Sequence, residues 1–305
     1  MKPIIKALFL VTVNFVNAQQ IPDESFNLEI LTPSFILGEG PTVCIDEAHN
    51  NFHTIDGNYK AFTKLIRSDG YSAIGFDKKF TVNELSACDI LVISNAIGES
   101  NDRVWSYPHD SAFSRVELTE LVNWVDQGGS LLLIADHAPM AGAASGLGAA
   151  IGLVMIDAYS NENPSGDDIF TKANKTLHEH SILDGRDDLE AIQSIMTFTG
   201  QAAHITGAWD PLISFGPEAI AFISPQQTVQ LMGDYSHPTF SIAGLAHVAA
   251  RELGAGRIVF LGEAAMCTAQ LAGPNQTKMG MNNPKASQNA QFCLNVVRWL
   301  DRIIN

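Results

Sequence analysis

Leu131-Leu132-Leu133-Ile134-Ala135-Asp136-His137-Ala138-Pro139 is the stretch that decides the fold. Five apolar residues in a row, then an abrupt polar break, predict a strand buried on both faces that ends at Asp136. A small-residue run from Gly142 to Gly152 follows and predicts a closely packed helix. Upstream, Val116, Leu118, Leu121, Val122, Trp124 and Val125 mark one face of an amphipathic helix, closed by Gly128-Gly129. Helix, glycine stop, apolar strand, polar loop and helix together form the cadence of a parallel α/β sheet. Ligands of such sheets gather outside the carboxyl ends of the strands, where Asp136 and His137 fall.

Working outward, the same alternation recurs on both sides. Thr42-Val43-Cys44-Ile45 predicts the first core strand, ending in Asp46-Glu47-Ala48-His49-Asn50-Asn51. A helix carrying Tyr59, Phe62, Leu65 and Ile66 follows, then strand Tyr71–Phe76, a short helix near Val82–Leu85 and strand Ile90–Ser94. Residues 96–114 form a long loop, a length typical of lids and binding loops. Downstream, Ala246–Leu253 and Arg257–Leu261 flank Gly254-Ala255-Gly256 as a hairpin, and the second run ends at Glu263. Asn289–Ile304 closes the chain as an amphipathic helix with Phe292, Val296, Trp299, Leu300 and Ile303. Between 155 and 240 the alternation lapses into short β-like runs around Ile195–Thr199, Ala219–Ile223 and Val229–Leu231, read as a β-rich insertion covering one end of the sheet. The expected organisation is therefore a leader (1–18), an N-terminal arm (19–40), and a single α/β domain (41–305) carrying that insertion.

The leader is expected from Met1-Lys2-Pro3-Ile4-Ile5-Lys6, the apolar run Ala7–Val16 and the small residues before Gln19. This is the pattern of an export signal cut after Ala18. The apolar run falls short of the roughly 20 residues a membrane span needs, so no membrane insertion is expected after removal of the leader. Export to the periplasm or the medium is the expectation. The net charge of −15 and the lack of a basic cluster argue against nucleic acid as a partner. Cys44, Cys88, Cys267 and Cys293 show neither metal spacing nor a dense disulfide framework. Cys44 and Cys293 read as small buried hydrophobes; a disulfide between some pair is compatible with an oxidising compartment, and spacing does not choose one.

Three strand ends direct polar groups to one edge: Asp46, Glu47, His49 and Asn50 after the first, Asp136 and His137 after the fourth, and Glu263 after the last. Asn95, ending the Ile90–Ser94 strand, is a further candidate. His137, Glu263, Asp136 and His49 are the expected catalytic set: His137 and His49 bind a metal or relay protons, Asp46 and Asp136 orient them and Glu263 serves as general base. Asp46, His49 and His137 are the expected ligands should a divalent metal such as Zn²⁺ activate water. Glu47, Asn50 and Asn95 are the expected substrate-binding groups. The bland reading competes for each residue: Asp at a strand–helix junction is a routine cap, and Glu263 suits a helix N-terminus.

Other signals are weaker. No Gly-x-Ser-x-Gly elbow is present, and Cys267 has no local base. Gly146-x-Gly148-x-x-x-Gly152 begins too far after its strand for a dinucleotide loop. His178-Glu179-His180 forms a second histidine pair, read as a surface loop, and His109 and His237 are loop histidines whose approach to the cleft depends on the topology.

The pieces Val43–Asn50, Leu121–Ala135, Gly256–Glu263 and Asn289–Leu300 resemble the class I glutamine amidotransferase-like fold, and most nearly its secreted ThuA-like and DUF4350-type branches. The resemblance implies a flavodoxin-like three-layer sandwich with a mainly parallel sheet, the insertion and a closing C-terminal helix. It departs from true amidotransferases in offering no Cys at Ser94-Asn95 or at Asp136-His137, which implies that glutamine is not hydrolysed here. Two functions remain from the sequence: an exported hydrolase of a small polar, carbohydrate-type substrate, or a non-catalytic ligand-binding or accessory protein of the cell envelope.

Overall fold

A computed structural model describes residues 20–102, 104–223 and 238–305. The leader and the Val229–Leu231 run lie outside the described residues, as does His237. Nine strands form the main sheet: β1 (Thr42–Asp46), β2 (Ser72–Phe76), β3 (Ile90–Ser94), β4 (Ser130–Ile134), β5 (Leu153–Met155), β6 (Ala203–Ile205), β7 (Asp210–Ser214), β8 (Ala246–Leu253) and β9 (Gly256–Leu261). Four longer helices accompany it: α1 (Lys60–Ser68), α2 (Arg115–Asp126), α3 (Met140–Ala150) and α4 (Asn289–Leu300).

The sheet runs β2-β1-β3-β4-β9-β8-β6-β5, with β7 also paired to β8. Its first five strands are parallel and the remaining pairings antiparallel. Within the parallel half the order is the 2-1-3-4-5 of a flavodoxin-like sheet, whose switch point lies between β1 and β3.

Side-chain alternation builds three layers. Val43, Ile45, Val92, Leu132, Ile134, Val259 and Leu261 face α1 and α4. Cys44, Leu91, Ile93, Leu131, Leu133, Ile258 and Phe260 face α2 and α3. All five residues of β4 are buried, which explains its unbroken apolar run. The β8–β9 hairpin turns at Gly254-Ala255, where Gly254 has φ +59° and an added Cβ would stand 2.2 Å from Asp126 Oδ1. A helix on one face thus fixes the turn residue of a hairpin.

The insertion is not only a cover. β5, β6 and β7 join the main sheet as its antiparallel margin, and β5 shows the buried–exposed–buried alternation of a one-sided strand. These pieces are short and lie at the margin of the sheet, where one face is left to solvent, so they carry no long apolar run. The remaining pieces build two small sheets, Tyr159–Asn161 with Ile220–Phe222 and Thr239–Ser241, and Asp168–Thr171 with Ser194–Thr197. The arm is tied down as well: Gln20–Pro22 pairs with Ala269–Ala272.

The cysteines depart from the expectation of isolated buried hydrophobes. Cys44 is bonded to Cys88 and Cys267 to Cys293, so no cysteine is free. Each pair joins a strand or strand-end turn to a neighbouring element distant in sequence. Among the described residues no helix is long and apolar enough to cross a membrane.

Candidate active site

At the end of β1, Asp46 and His49 are fully enclosed. Both Asp46 carboxylate oxygens lie 2.9 Å from His49 Nδ1, and Glu117 Oε1 lies 3.0 Å from His49 Nε2. Phe80 and Phe113 flank the ring at 4.5 and 4.8 Å. Burial opposes a charge on this ring, but the two carboxylates outweigh it and raise the pKa. Burial likewise works to raise Glu117, yet His49 and Ser114 bring it down to about 2. The group is an imidazolium clamped between two carboxylates. With both ring nitrogens donating, His49 has none left to relay a proton or ligate a metal.

Asp46 is equally committed, accepting from Ala48 N and from Asn51 Nδ2 at 3.1 and 3.0 Å. The expected ligand set of Asp46, His49 and His137 is therefore not assembled; among the described residues no group of three or more His, Cys, Asp or Glu side chains is arranged to hold a metal ion. Two expected binding groups turn elsewhere. Glu47 Oε1 accepts from Ile55 N at 2.8 Å, and exposed Asn50 reaches Ile97 O at 3.4 Å.

The ends of β3, β4 and β9 do converge. Asn95, with φ 51°, accepts the amide of Asp136 at 2.9 Å, so it fixes the carboxyl end of β4. Asp136 accepts from His137 N at 2.7 Å and from Ala264 N at 3.2 Å, joining β4 to the turn after β9. His137 Nδ1 lies 2.7 Å from Ala138 O, a contact that requires the proton on Nδ1. Nε2 therefore carries the lone pair in the neutral ring, with Asp136 Oδ1 3.9 Å away. The imidazole stacks on Tyr159 at 4.2 Å and 24°. It is one of the few polar groups of this edge that keeps some contact with solvent, at 11% of its side chain.

Glu263 is buried behind it. Its oxygens accept from Ala265 N at 2.8 Å and Met266 N at 2.6 Å. Burial, reinforced by the charge of Asp136, holds its pKa well above the usual carboxylate range. With both oxygens taken by backbone amides and the side chain enclosed, Glu263 is not placed to serve as the general base expected from sequence.

Several groups at the edge were not singled out from the sequence. His53 donates or accepts at Ser94 Oγ (3.1 Å), stacks near Tyr59 at 4.8 Å, and is pushed down to about 4 by burial, so it is neutral. His247 sits inside β8 with Nδ1 2.9 Å from Gln201 O, and burial brings it to about 4 as well. A histidine amid Ala and Val in a buried strand was the available signal. Glu117 carried another, the Ser114-x-x-Glu117 capping box. Tyr159 and Gln201 had none, because their irregular surroundings show no period.

Other sequence candidates lie apart. His178 Nε2 meets Ser214 Oγ at 2.8 Å, and His180 caps the Ser181–Asp184 turn through Ile182 N, so the pair is split between two structural tasks. An open cleft of about 480 Å³ adjoins His178, Ser214 and Phe215, with its histidine already partnered. Cys267 is bonded to Cys293 and cannot act as a nucleophile. His109 approaches from the long loop, its Nδ1 2.7 Å from Asp157 Oδ2.

No protein family and no curated protein matches this chain. Solved structures do. The mmIFT52 N-terminal domain aligns over 85% of this chain and 97% of its own, with a TM-score of 0.56 at 12% identity. A cytoplasmic protein from Salmonella typhimurium aligns over 86% and 99%, with a TM-score of 0.49 at 15% identity. A protein from Bacteroides uniformis described as ThuA-like aligns over 90% and 94%, with a TM-score of 0.47 at 12% identity. At such identities the likeness is one of fold, not of chemistry.

Proposed function

We propose that this protein is an exported hydrolase of a small polar substrate of the carbohydrate-derived class, with His137 as its general base. The observation that carries the reading is the tautomer of His137. Ala138 O holds the proton on Nδ1, which leaves the lone pair on Nε2, with Asp136 Oδ1 3.9 Å away. Nε2 takes a proton from water as that water attacks the substrate, and Asp136, 3.9 Å away, stabilises the imidazolium that forms. Burial works against a charge on Glu263, whereas Asp136 stands beside the ring at 3.9 Å. Phe52, 40% exposed, and Trp105 line the approach, their ring centroids 5.7 Å apart and Trp105 6.3 Å from His137. Flat apolar rings beside a polar centre suit a substrate with one apolar face.

Export is supported by the leader pattern at 1–18 and by two disulfides, which persist in oxidising compartments. With all four cysteines in disulfides, no thiol is free to act as an amidotransferase-type nucleophile. The acidic charge of −15 disfavours nucleic acid as a partner.

The test is a hydrolysis screen of wild type beside His137→Ala, with unfolding curves for both. Turnover that falls by roughly 10²–10⁴-fold in a folded variant supports the reading. Saturable sugar binding by wild type without turnover, lost on changing Trp105, would replace it with the second reading, a ligand-binding protein of the envelope, which the aromatic approach favours. N-terminal sequencing of the protein recovered outside the cytoplasm is expected to begin at Gln19.

A further inference from the structure

The long loop 96–114 brings a second histidine to the same edge. Asn101 organises that loop: its side-chain amide donates to Val104 O, Ser106 O and Pro108 O, and its oxygen accepts from Asp110 N. The folded loop is then fastened to α3. Ala112 N donates to Ala143 O at 3.0 Å, and the Tyr107 hydroxyl donates to Asp157 O at 2.6 Å. His109 Nδ1 meets Asp157 Oδ2 at 2.7 Å, while Asp157 Oδ1 accepts from Gly142 N at 3.0 Å. A Cβ at Gly142 would stand 2.5 Å from Asp157 and 2.8 Å from His109. Only glycine lets the dyad close against the helix there.

Two side-chain atoms of this assembly are buried with no partner: His109 Nε2 and the Tyr159 hydroxyl. Each lies on a side chain at most 1% exposed. Leaving such groups unpaired costs about 1–3 kcal/mol apiece. A fold that tolerates the cost twice in one place, beside a stacked His137, is keeping donors and acceptors in reserve. Tyr159 links the two histidines. Its ring lies under His137, and both Asp157 and Tyr107 are close enough to oppose ionisation of its phenol.

We propose that His109 and Tyr159 form a second polar subsite beside His137, which receives the leaving oxygen of the substrate, with His109 as the general acid. The inference rests on the hydrolase reading above. In the reaction, His137 Nε2 removes a proton from water and the new oxygen–carbon bond forms. The bond to the leaving oxygen breaks, and that oxygen takes the proton from His109 Nε2 while Tyr159 donates a hydrogen bond to it. Asp157 Oδ2 holds His109 Nδ1 at 2.7 Å, which orients the ring and leaves Nε2 as the nitrogen that meets the leaving oxygen. Water and R–OR′ go to two hydroxyl compounds, and solvent returns each histidine to its starting state.

The experiment compares 4-nitrophenyl with methyl glycosides and esters, using wild type, His137→Ala, His109→Gln and Tyr159→Phe. Nitrophenolate leaves without help and methoxide does not. His109→Gln is therefore expected to lose roughly 10²–10⁴-fold in kcat on methyl substrates and only a few-fold on nitrophenyl ones, with one limb of the pH profile gone. Equal losses on both series overturn the acid role. Tyr159→Phe is read by Tm as well: an unpartnered hydroxyl predicts a Tm unchanged or raised together with reduced turnover. A lowered Tm shows that the hydroxyl has a structural partner and overturns its place in the subsite. Turnover lost in His137→Ala but unaltered in His109→Gln defeats this inference alone. No turnover by wild type on either series, or full turnover by His137→Ala, defeats the hydrolase reading and this inference with it.

Discussion

His49 and His137 stand at the ends of two strands of one sheet, yet their surroundings give them opposite tasks. His49 is charged and clamped by Asp46 and Glu117; His137 has one nitrogen tied to a carbonyl and the other open. Deleting the clamped ring strands two carboxylates away from bulk water. His49→Leu is expected to cost about 3 kcal/mol in urea unfolding, the scale for breaking a buried pair on one side. A loss under about 1 kcal/mol would mean that solvent or Lys79, 3.8 Å from Glu117, already compensates the charges. His247 gives the other kind of signature. Its folded pKa of about 4 lies below the ordinary 6.5, so between those values the unfolded chain takes up a proton that the native state refuses. Its contribution therefore falls as pH drops from 6.5 to 4. His247→Phe should close its stability gap to wild type on acidification through that window. Other groups titrating there, such as Asp168 near 6, are present in both proteins and drop out of the difference. A gap that stays constant from pH 7 to 4 would contradict a neutral buried His247.

At the scale of elements, what sequence revealed and what it hid follow from burial. β4 and β9 are covered on both faces, so their apolar runs were legible, and with them the edge at Asp136 and Glu263. β5, β6 and β7 are short margins with one covered face, and their pattern resembles that of a covering insertion. Site residues separated along the same line. Asp136, His137 and Glu263 sit where strands end, a position visible in one dimension. The groups around them are set by tertiary placement: Tyr159, which stacks on His137, comes from a three-residue strand of a small separate sheet, and Gln201, which donates to Ala135 O, and Asp157, which holds His109, come from loops. The α2 cap shows how local and distant roles combine. Ser114 Oγ accepts from Glu117 N, Glu117 Oε2 accepts from Ser114 N, and the other oxygen of Glu117 holds His49. Ser114→Ala alone is expected to cost about 1 kcal/mol, the usual value of a lost cap. Combined with His49→Leu the losses should not add, with an interaction of about 0.5–3 kcal/mol, because both changes act through one carboxylate. Strict additivity in that double-mutant cycle would separate the cap from the ion triad.

For the whole molecule, the two disulfides bind the layers into one unit. Cys44–Cys88 spans 44 residues and fastens β1 to the turn before β3. Cys267–Cys293 spans 26 residues and fastens the turn that supplies the Glu263 amides to α4, the closing helix. Loops of these lengths correspond to about 3–4 kcal/mol each by restriction of the unfolded chain. In a domain of this size, such a loss lowers Tm by roughly 5–10 °C per bridge. The two should differ in what else they change. Opening Cys44–Cys88 loosens the β1 side of the sheet, which supplies neither of the amides that hold Glu263. Opening Cys267–Cys293 frees the 265–267 turn, whose Ala265 and Met266 amides hold the Glu263 carboxyl. Cys44→Ala with Cys88→Ala is thus expected to lower Tm and leave hydrolysis per folded molecule close to wild type. Cys267→Ala with Cys293→Ala should lower both, since the amide of Ala264 at the head of that turn holds Asp136, the carboxylate beside His137. Equal activity in the two double variants would mean that the amides alone hold the turn, and that the second bridge contributes to stability without shaping the site.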